Sequence, residues 1–170
     1  MGASMVRAFF FGAIATAALL VGGCGGKDKT PPTVVKATLQ SSADLNPDLR
    51  GRPSPLLIRI YELKSASTFN AADFYSLFDK DEQLMAADIQ GREEISIPPG
   101  DSKAFERQFK PDSKYIAVLG AYRDIEHARW RAVYEIAPAK TTQVSINLSK
   151  LAVSITGQQE EPKKKKWLPW

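Results

Sequence analysis

A two-residue rhythm of apolar side chains, recurring from Val34 to Ile155, is what most limits the folds open to this chain. Val35, Ala37 and Leu39 fall on one face of a first stretch, and Lys36, Thr38 and Gln40 on the other. Side chains of a strand alternate sides, so this spacing describes a strand with one dry and one wet face. Leu56 to Leu63 is a second strand, rich in β-branched and aromatic residues. Phe105 and Phe109 flank Arg107 in a third candidate. Tyr115 to Tyr122 is apolar on both faces, as a central strand covered on each side would be. Trp130, Ala132, Tyr134 and Ile136 alternate with Arg129, Arg131, Val133 and Glu135, and Val144, Ile146 and Leu148 with Gln143, Ser145 and Asn147. Leu151, Val153 and Ile155 keep the period but slip by one residue at Ser149-Lys150. Such a slip turns every side chain over, so a bulge or a break is expected there. Short strands parted by Pro, Gly and Asp clusters predict a mainly β protein, an antiparallel β-sandwich.

One helical insertion interrupts the pattern. Asn70 is a candidate cap with Asp73 three residues on, and Phe69 and Phe74 take the two positions of a hydrophobic staple. Ala71, Phe74, Leu77 and Phe78 would then line one helix face. A second short helix is expected around Asp81 to Ala87, before a turn at Gln90-Gly91.

The N-terminus is a separate unit. Arg7 precedes an apolar run from Ala8 to Val21, too short for the roughly 20 residues of a membrane-crossing helix. A basic start, a short apolar core and small residues before a cut site describe a secretory signal. Cys24, the only cysteine, follows directly on Gly22-Gly23, and this arrangement resembles a bacterial lipoprotein signal. The resemblance implies cleavage before Cys24, a diacylglycerol on its sulfur and acylation of the new amine. Several acyl chains are needed because one gives only marginal membrane binding. The competing reading, a buried or unpaired thiol, leaves a lone cysteine in an exported protein unexplained. Gly25 stands where an aspartate would retain an enteric lipoprotein in the inner membrane, which points to the outer membrane, periplasmic face. Gly25 to Thr33 reads as a tether of at most about 30 Å.

The expected organisation is a lipoprotein signal at 1–23, a lipidated tether at 24–33, a β-sandwich at 34–157 and a basic tail at 158–170. The tail carries Lys163 to Lys166 followed by Trp167-Leu168-Pro169-Trp170. It reads as a disordered, solvated terminus, with contact to an anionic surface as the alternative. Net charge is +4. Arg7 leaves with the signal and the lysine run accounts for much of the rest, so the body is close to neutral. That argues against nucleic acid as partner, since phosphate binding needs a concentrated basic face.

A search for chemistry finds little. His127 is the sole histidine, and a zinc site normally needs three or four N or S ligands, of which this chain offers one. The chain lacks a nucleophile elbow and a phosphate-cradling loop. Adjacent Glu93 and Glu94 would face opposite ways in an extended chain. Asp124, Glu126 and His127 form a local cluster that reads as a solvated loop. The expectation is no enzyme: no catalytic residues, no metal site, and no cofactor beyond a covalent lipid on Cys24.

Ser42 to Pro55 is more informative. It is long for a connection between strands, with a turn at Asn46-Pro47-Asp48, a glycine suited to positive φ at Gly51, and Pro53 and Pro55 stiffening its exit. Arg50 and Arg52 flank the glycine. A proline-rigid loop presenting guanidinium groups suits protein recognition, because docking then orders little. An ordinary crossover between sheets fits equally well.

Leu45-Asn46-Pro47-Asp48, Gly51-Arg52-Pro53-Ser54-Pro55-Leu56 and Arg59-Ile60-Tyr61-Glu62-Leu63-Lys64 occur in that order. Phe69, Ala72-Asp73-Phe74 and Leu77 follow, then Ala121-Tyr122-Arg123-Asp124 and Trp130-Arg131. With the lipoprotein cysteine, this set resembles the TssJ-type outer-membrane lipoproteins of the bacterial type VI secretion system, from the signal to about Ile155. The resemblance implies a transthyretin-like β-sandwich with added helical elements. It also implies a partner, the periplasmic C-terminal region of the TssM-type inner-membrane subunit, contacted by the loop between the first two strands. Asn46, Pro47, Asp48, Arg50, Gly51, Arg52 and Pro53 are therefore the candidate contact residues. The implied role is a membrane peg that docks a trans-envelope complex, with no small-molecule substrate. Two rivals stand beside it: a periplasmic lipoprotein holding a small ligand between the sheets, and an enzyme using Asp124, Glu126 and His127.

Overall fold

Eight strands and two short helices make up residues 30–160, the part of the chain that the computed structural model describes. In chain order they are β1 (Thr33–Ser41), β2 (Leu56–Leu63), α1 (Ser67–Ala71), α2 (Phe74–Leu84), β3 (Ile89–Ile97), β4 (Ser102–Phe109), β5 (Tyr115–Gly120), β6 (Arg131–Glu135), β7 (Thr141–Ser149) and β8 (Ala152–Gln159). The strands form two four-stranded sheets, ordered β4-β1-β7-β8 and β3-β2-β5-β6. The signal, Cys24 and most of the tether lie outside the described residues, as does the tail from 161 on.

The dry faces read from the sequence meet between the sheets. Val35, Ala37 and Leu39 of β1 and Val144, Ile146 and Leu148 of β7 pack against Ile58 and Ile60 of β2 and Val118 of β5, all essentially inaccessible to water. Burying a side chain of this size stabilises the fold by about 1.5–3 kcal/mol. The second sheet is dry on its other face too. There Tyr61, Leu63, Ala117 and Leu119 bury against Phe69 of α1, Leu77 of α2 and Met85. The two-faced apolar character of Tyr115 to Tyr122 is thereby accounted for: β5 lies between the sandwich core and the helices. The outer face of the first sheet stays wet, with Lys36, Gln40, Gln143 and Ser145 exposed.

Several local expectations need correction. The sandwich is antiparallel except where β1 pairs with β7, which is parallel from Val34↔Thr141 to Ser41↔Leu148. Parallel neighbours need a long crossover, and everything from β2 to β6 supplies it. The turn expected at Gln90-Gly91 is instead the start of β3. The register with β2 shifts between Glu62 and Leu63, where Gly91 faces Glu62 and Ile89 faces Leu63, so Gln90 is an extra residue in the ladder. The alternation of β3 is hard to see because it carries Gly91 and Glu93 at inward positions. Gly91 serves close approach: a Cβ there would sit 2.9 Å from Glu62 Oε2.

The helix cap is Asp73, not Asn70, which lies inside α1. Asp73 Oδ1 accepts from the Ser76 N–H at 2.9 Å and Oδ2 from its hydroxyl at 2.6 Å. The Phe69–Phe74 staple therefore does not form. Phe69 meets Tyr61 edge-on at 5.6 Å, while Phe74 stacks on Phe78 and meets Trp130 edge-on. The helical segment expected from Asp81 is the end of α2, reached through a break in helical geometry at Lys80. The slip at Ser149-Lys150 is a hairpin: Ser149 pairs with Ala152 across a two-residue turn. β8 then runs to Gln159, so Gln158 and Gln159 belong to the sandwich and not to the tail.

The topology sorts the connections. The tether enters β1 at the end of the sandwich where β8 leaves, as the pairings Val34↔Thr141 and Thr142↔Gln159 require. Ser42–Pro55, the β3–β4 turn, residues 121–130 and the Lys150-Leu151 turn gather at the opposite end. Nine residues of strand, about 30 Å, separate the two.

A candidate docking surface

Asn46 organises the far end. It sits in the left-handed region with φ +47 and is almost wholly buried, a conformation that asparagine tolerates better than most residues. Its side-chain Nδ2 donates to the Pro55 carbonyl at 2.8 Å, and its Oδ1 accepts from the Arg123 N–H at 2.8 Å. Its own N–H donates to the Lys150 carbonyl at 3.0 Å. One side chain thus joins the β1–β2 loop to the β5–β6 loop, and its backbone adds the β7–β8 turn. Leu45, fully buried beside it, anchors the loop in the core, and Ser54 N–H closes the loop on the Leu45 carbonyl at 3.0 Å.

Asp48 shapes the tip. Its Oδ1 accepts from the N–H groups of Arg50 and Arg52, each at 2.9 Å, and its Oδ2 pairs with the Arg52 guanidinium at 2.7 Å. These bonds, led by the Arg52 N–H and then its guanidinium, hold the Asp48 carboxyl below the ordinary carboxylate range. The Gly51 N–H donates to the Asp48 carbonyl at 2.8 Å, and Gly51 takes φ +78. A side chain would meet no atom there, so backbone strain alone favours glycine.

The candidate contact residues therefore divide. Asn46 is interior and positions the loop. Asp48 and Gly51 fix its shape, and Arg52 is committed to Asp48. Pro47 is half-buried, while Arg50 and Pro53 are exposed. The loop passes from the first sheet to the second, as the crossover reading has it, and presents an ordered tip. Sequence reasoning missed Leu49, whose relative exposure of 108% makes it the most protruding large apolar side chain of the described residues. A leucine set between Asp48 and Arg50, outside any alternating run, was the available signal. Also missed were the neighbours that topology brings in. Pro47–Gly51, Arg123, Asp124, Lys150 and Leu151 line one open depression of about 910 Å³.

The cluster of Asp124, Glu126 and His127 lies beside this surface. His127 Nδ1 and Asp124 Oδ1 are 2.7 Å apart, with both side chains largely in water. The hydrogen bond from Asp124, reinforced by its charge, raises the His127 pKa. The pair is an exposed i, i+3 contact at the edge of the open depression that Asp124 lines.

Other motif residues serve the helical insertion. Arg131 donates to the carbonyls of Phe69 and Ala72, at 2.9 and 2.6 Å, at the end of α1. Arg59 reaches Glu94 at 2.7 Å, the Phe78 carbonyl at 2.6 Å and Asp81 at 3.4 Å, with its guanidinium over the Phe78 ring. Asp81 also accepts from the Tyr61 hydroxyl at 2.7 Å and from Arg92 at 2.8 Å. Glu93, on the opposite face from Glu94, pairs with Arg107 and links β3 to β4 of the other sheet. The two glutamates are indeed apart, each in a structural ion pair.

Comparisons with known proteins complete the description. The sequence profile of the family described as "Type VI secretion lipoprotein, VasD, EvfM, TssJ, VC_A0113" matches residues 33–151. Among solved structures, the T6SS lipoprotein TssJ1 from Pseudomonas aeruginosa is 31% identical with a TM-score of 0.73, over 78% of this chain and 100% of that one. Serratia marcescens Lip, described as a membrane bound component of the type VI secretion system, is 19% identical with a TM-score of 0.66, over 76% and 99%. A chain in a structure described as the T6SS protein TssM C-terminal domain from EAEC is 24% identical with a TM-score of 0.58, over 72% and 99%. No curated protein sequence matched.

Proposed function

This chain belongs to the type VI secretion lipoprotein family, and from that premise we propose that it is an outer-membrane peg for the secretion apparatus. Lipid on Cys24 holds it at the periplasmic face, and the Ser42–Pro55 loop docks the periplasmic C-terminal region of the TssM-type inner-membrane subunit. The observation that carries this reading is the separation of the two ends of β1. The strand starts at the tether and finishes at an ordered, exposed loop, so lipid and partner have opposite poles to themselves. Support also comes from the chain of this fold found in a structure described by the TssM C-terminal domain.

The mechanism is confinement. A domain held in a thin layer beneath the membrane raises the effective concentration of its surface for a partner in the same layer. A loop already shaped by Asn46 and Asp48 has little order left to lose on docking. A small ligand between the sheets fits less well, because that space is filled by packed apolar side chains.

The test is Cys24→Ser. The variant is expected to leave the membrane fraction and to abolish secretion, while its circular dichroism and melting stay those of the parent. Unchanged membrane fractionation would defeat the proposal.

A further inference from the structure

The chemistry of the far end specifies what kind of surface it can meet. Leu49 stands fully in water at the loop tip. Around it Arg50, Arg123 and Lys150 are exposed and make no ion pair among the described residues. The two carboxylates lining the same depression are both engaged, Asp48 by Arg52 and Asp124 by His127. What remains unsatisfied is one apolar side chain and three cations, drawn from three separate connections and lining one depression.

We infer that this surface takes an acidic protein face bearing an apolar socket: the socket receives Leu49, and carboxylates on its rim meet Arg50, Arg123 and Lys150. The inference rests on the docking reading and gives the partner's contact region its chemistry. Leu49 is the anchor. A central apolar side chain that becomes fully desolvated is the kind of residue that dominates an interface, whereas a ring of cations sets encounter rate and partner choice. The loop geometry adds to this, because the bonds to Asp48 and Asn46 already fix the position of Leu49. Nucleic acid suits the patch poorly, since no aromatic side chain lines it for base stacking. A membrane suits it poorly as well, because the surface lies at the end opposite the tether.

The experiment titrates the mature lipidated protein, in detergent, with the periplasmic C-terminal region of the TssM-type subunit of the same secretion system, at low and high salt. Leu49→Ala is expected to raise Kd about tenfold or more through faster dissociation, with the salt dependence unchanged. Arg123→Glu and Lys150→Glu are each expected to raise Kd about fivefold through slower association, and to flatten the salt dependence. Lys36→Glu, on the outer face of the first sheet, serves as a charge reversal elsewhere and leaves Kd as in the parent. All four positions are exposed, so melting temperatures should stay at the parent value. If the parent binds and the Leu49, Arg123 and Lys150 variants bind within twofold of it, the inference is overturned while the docking reading stands. If the parent itself does not bind, the docking reading falls first.

Discussion

Replacing Asn46 by alanine tests whether the docking loop is held from inside. The side chain makes two main-chain hydrogen bonds of 2.8 Å, one to Pro55 at the exit of its own loop and one to Arg123 of the β5–β6 loop, and the residue is 3% exposed. Removing it orphans the Pro55 carbonyl and the Arg123 N–H, at about 1 kcal/mol each for sites that water can partly reach. Alanine must also adopt φ +47, which adds about 1 kcal/mol. The expected loss is about 3 kcal/mol, equivalent to a fall in Tm of about 10 °C for a domain of this size. Asn46→Gly accepts the backbone conformation and should lose only about 2 kcal/mol. Urea denaturation of the three proteins, followed by tryptophan fluorescence, orders them parent, glycine, alanine. The alanine variant should also bind the partner region more weakly, although no partner can touch a residue so deeply covered. An alanine variant within about 0.5 kcal/mol of the parent would refute the reasoning, because the loop would then be held by something other than Asn46.

Two further outcomes follow from buried polar groups. Burial raises the Asp81 carboxyl, but hydrogen bonds from Tyr61 and Arg92 outweigh it and leave the pKa below its ordinary value; the stability it contributes is present above the unfolded carboxylate pKa of about 4 and is lost as pH falls through the depressed folded value. The urea midpoint should therefore fall more steeply below pH 4 in the parent than in Asp81→Asn, and equal slopes would show that the carboxylate contributes nothing. Gly91→Ala sets a methyl 2.9 Å from Glu62 Oε2, whose carboxylate is tied by Oε1 to the Lys110 N–H and the Ser113 hydroxyl. It should cost about 1–3 kcal/mol in thermal melting, and a variant as stable as the parent would mean that Glu62 can retreat without loss.

Most of the fold was legible because burial imposes a period of two wherever one sheet face is dry. β1, β2, β5 and β7 emerge from that rule with borders close to those observed. β3 escaped it for a local reason: two of its inward positions hold Gly91, needed for close approach, and Glu93, paired with Arg107, which leaves only Ile95 and Ile97 to show the period. The parallel pairing of β1 with β7 was beyond reach, since alternation tells which face is buried and not which strand lies alongside. The helix cap was misplaced by one turn because Asn70 and Asp73 are both good caps, and the choice is made by Arg131 and the packing of Phe69, which are tertiary. At the docking end the loop itself could be read from its Asn, Gly and Pro residues. Leu49 could not be weighed as an anchor without knowing its exposure, and Arg123 and Lys150 lie 74 and 101 residues further along the chain.

The residues that carry the family resemblance are for the most part interior braces and not the contacts themselves. Asn46 and Tyr122 tie connections together at the far end, the latter through its hydroxyl on the Ser149 carbonyl; Arg59, Tyr61, Phe69, Leu77 and Arg131 fasten the helices to the second sheet. In the proposed arrangement, what such bracing protects is the path between lipid and partner, and that path is β1. The strand is paired along its length on both sides, from Thr33↔Phe109 to Gln40↔Ser102 with β4 and from Val34↔Thr141 to Ser41↔Leu148 with β7. In the proposed arrangement a pull between membrane and partner acts along this strand. It loads two ladders in shear, with their hydrogen bonds resisting together, whereas a strand at a sheet edge would have only one ladder to hold it. An interior strand running from tether to docking loop is thus the placement that lets a small domain serve as an anchor, and the long crossover from β2 to β6 is what puts β1 in the interior.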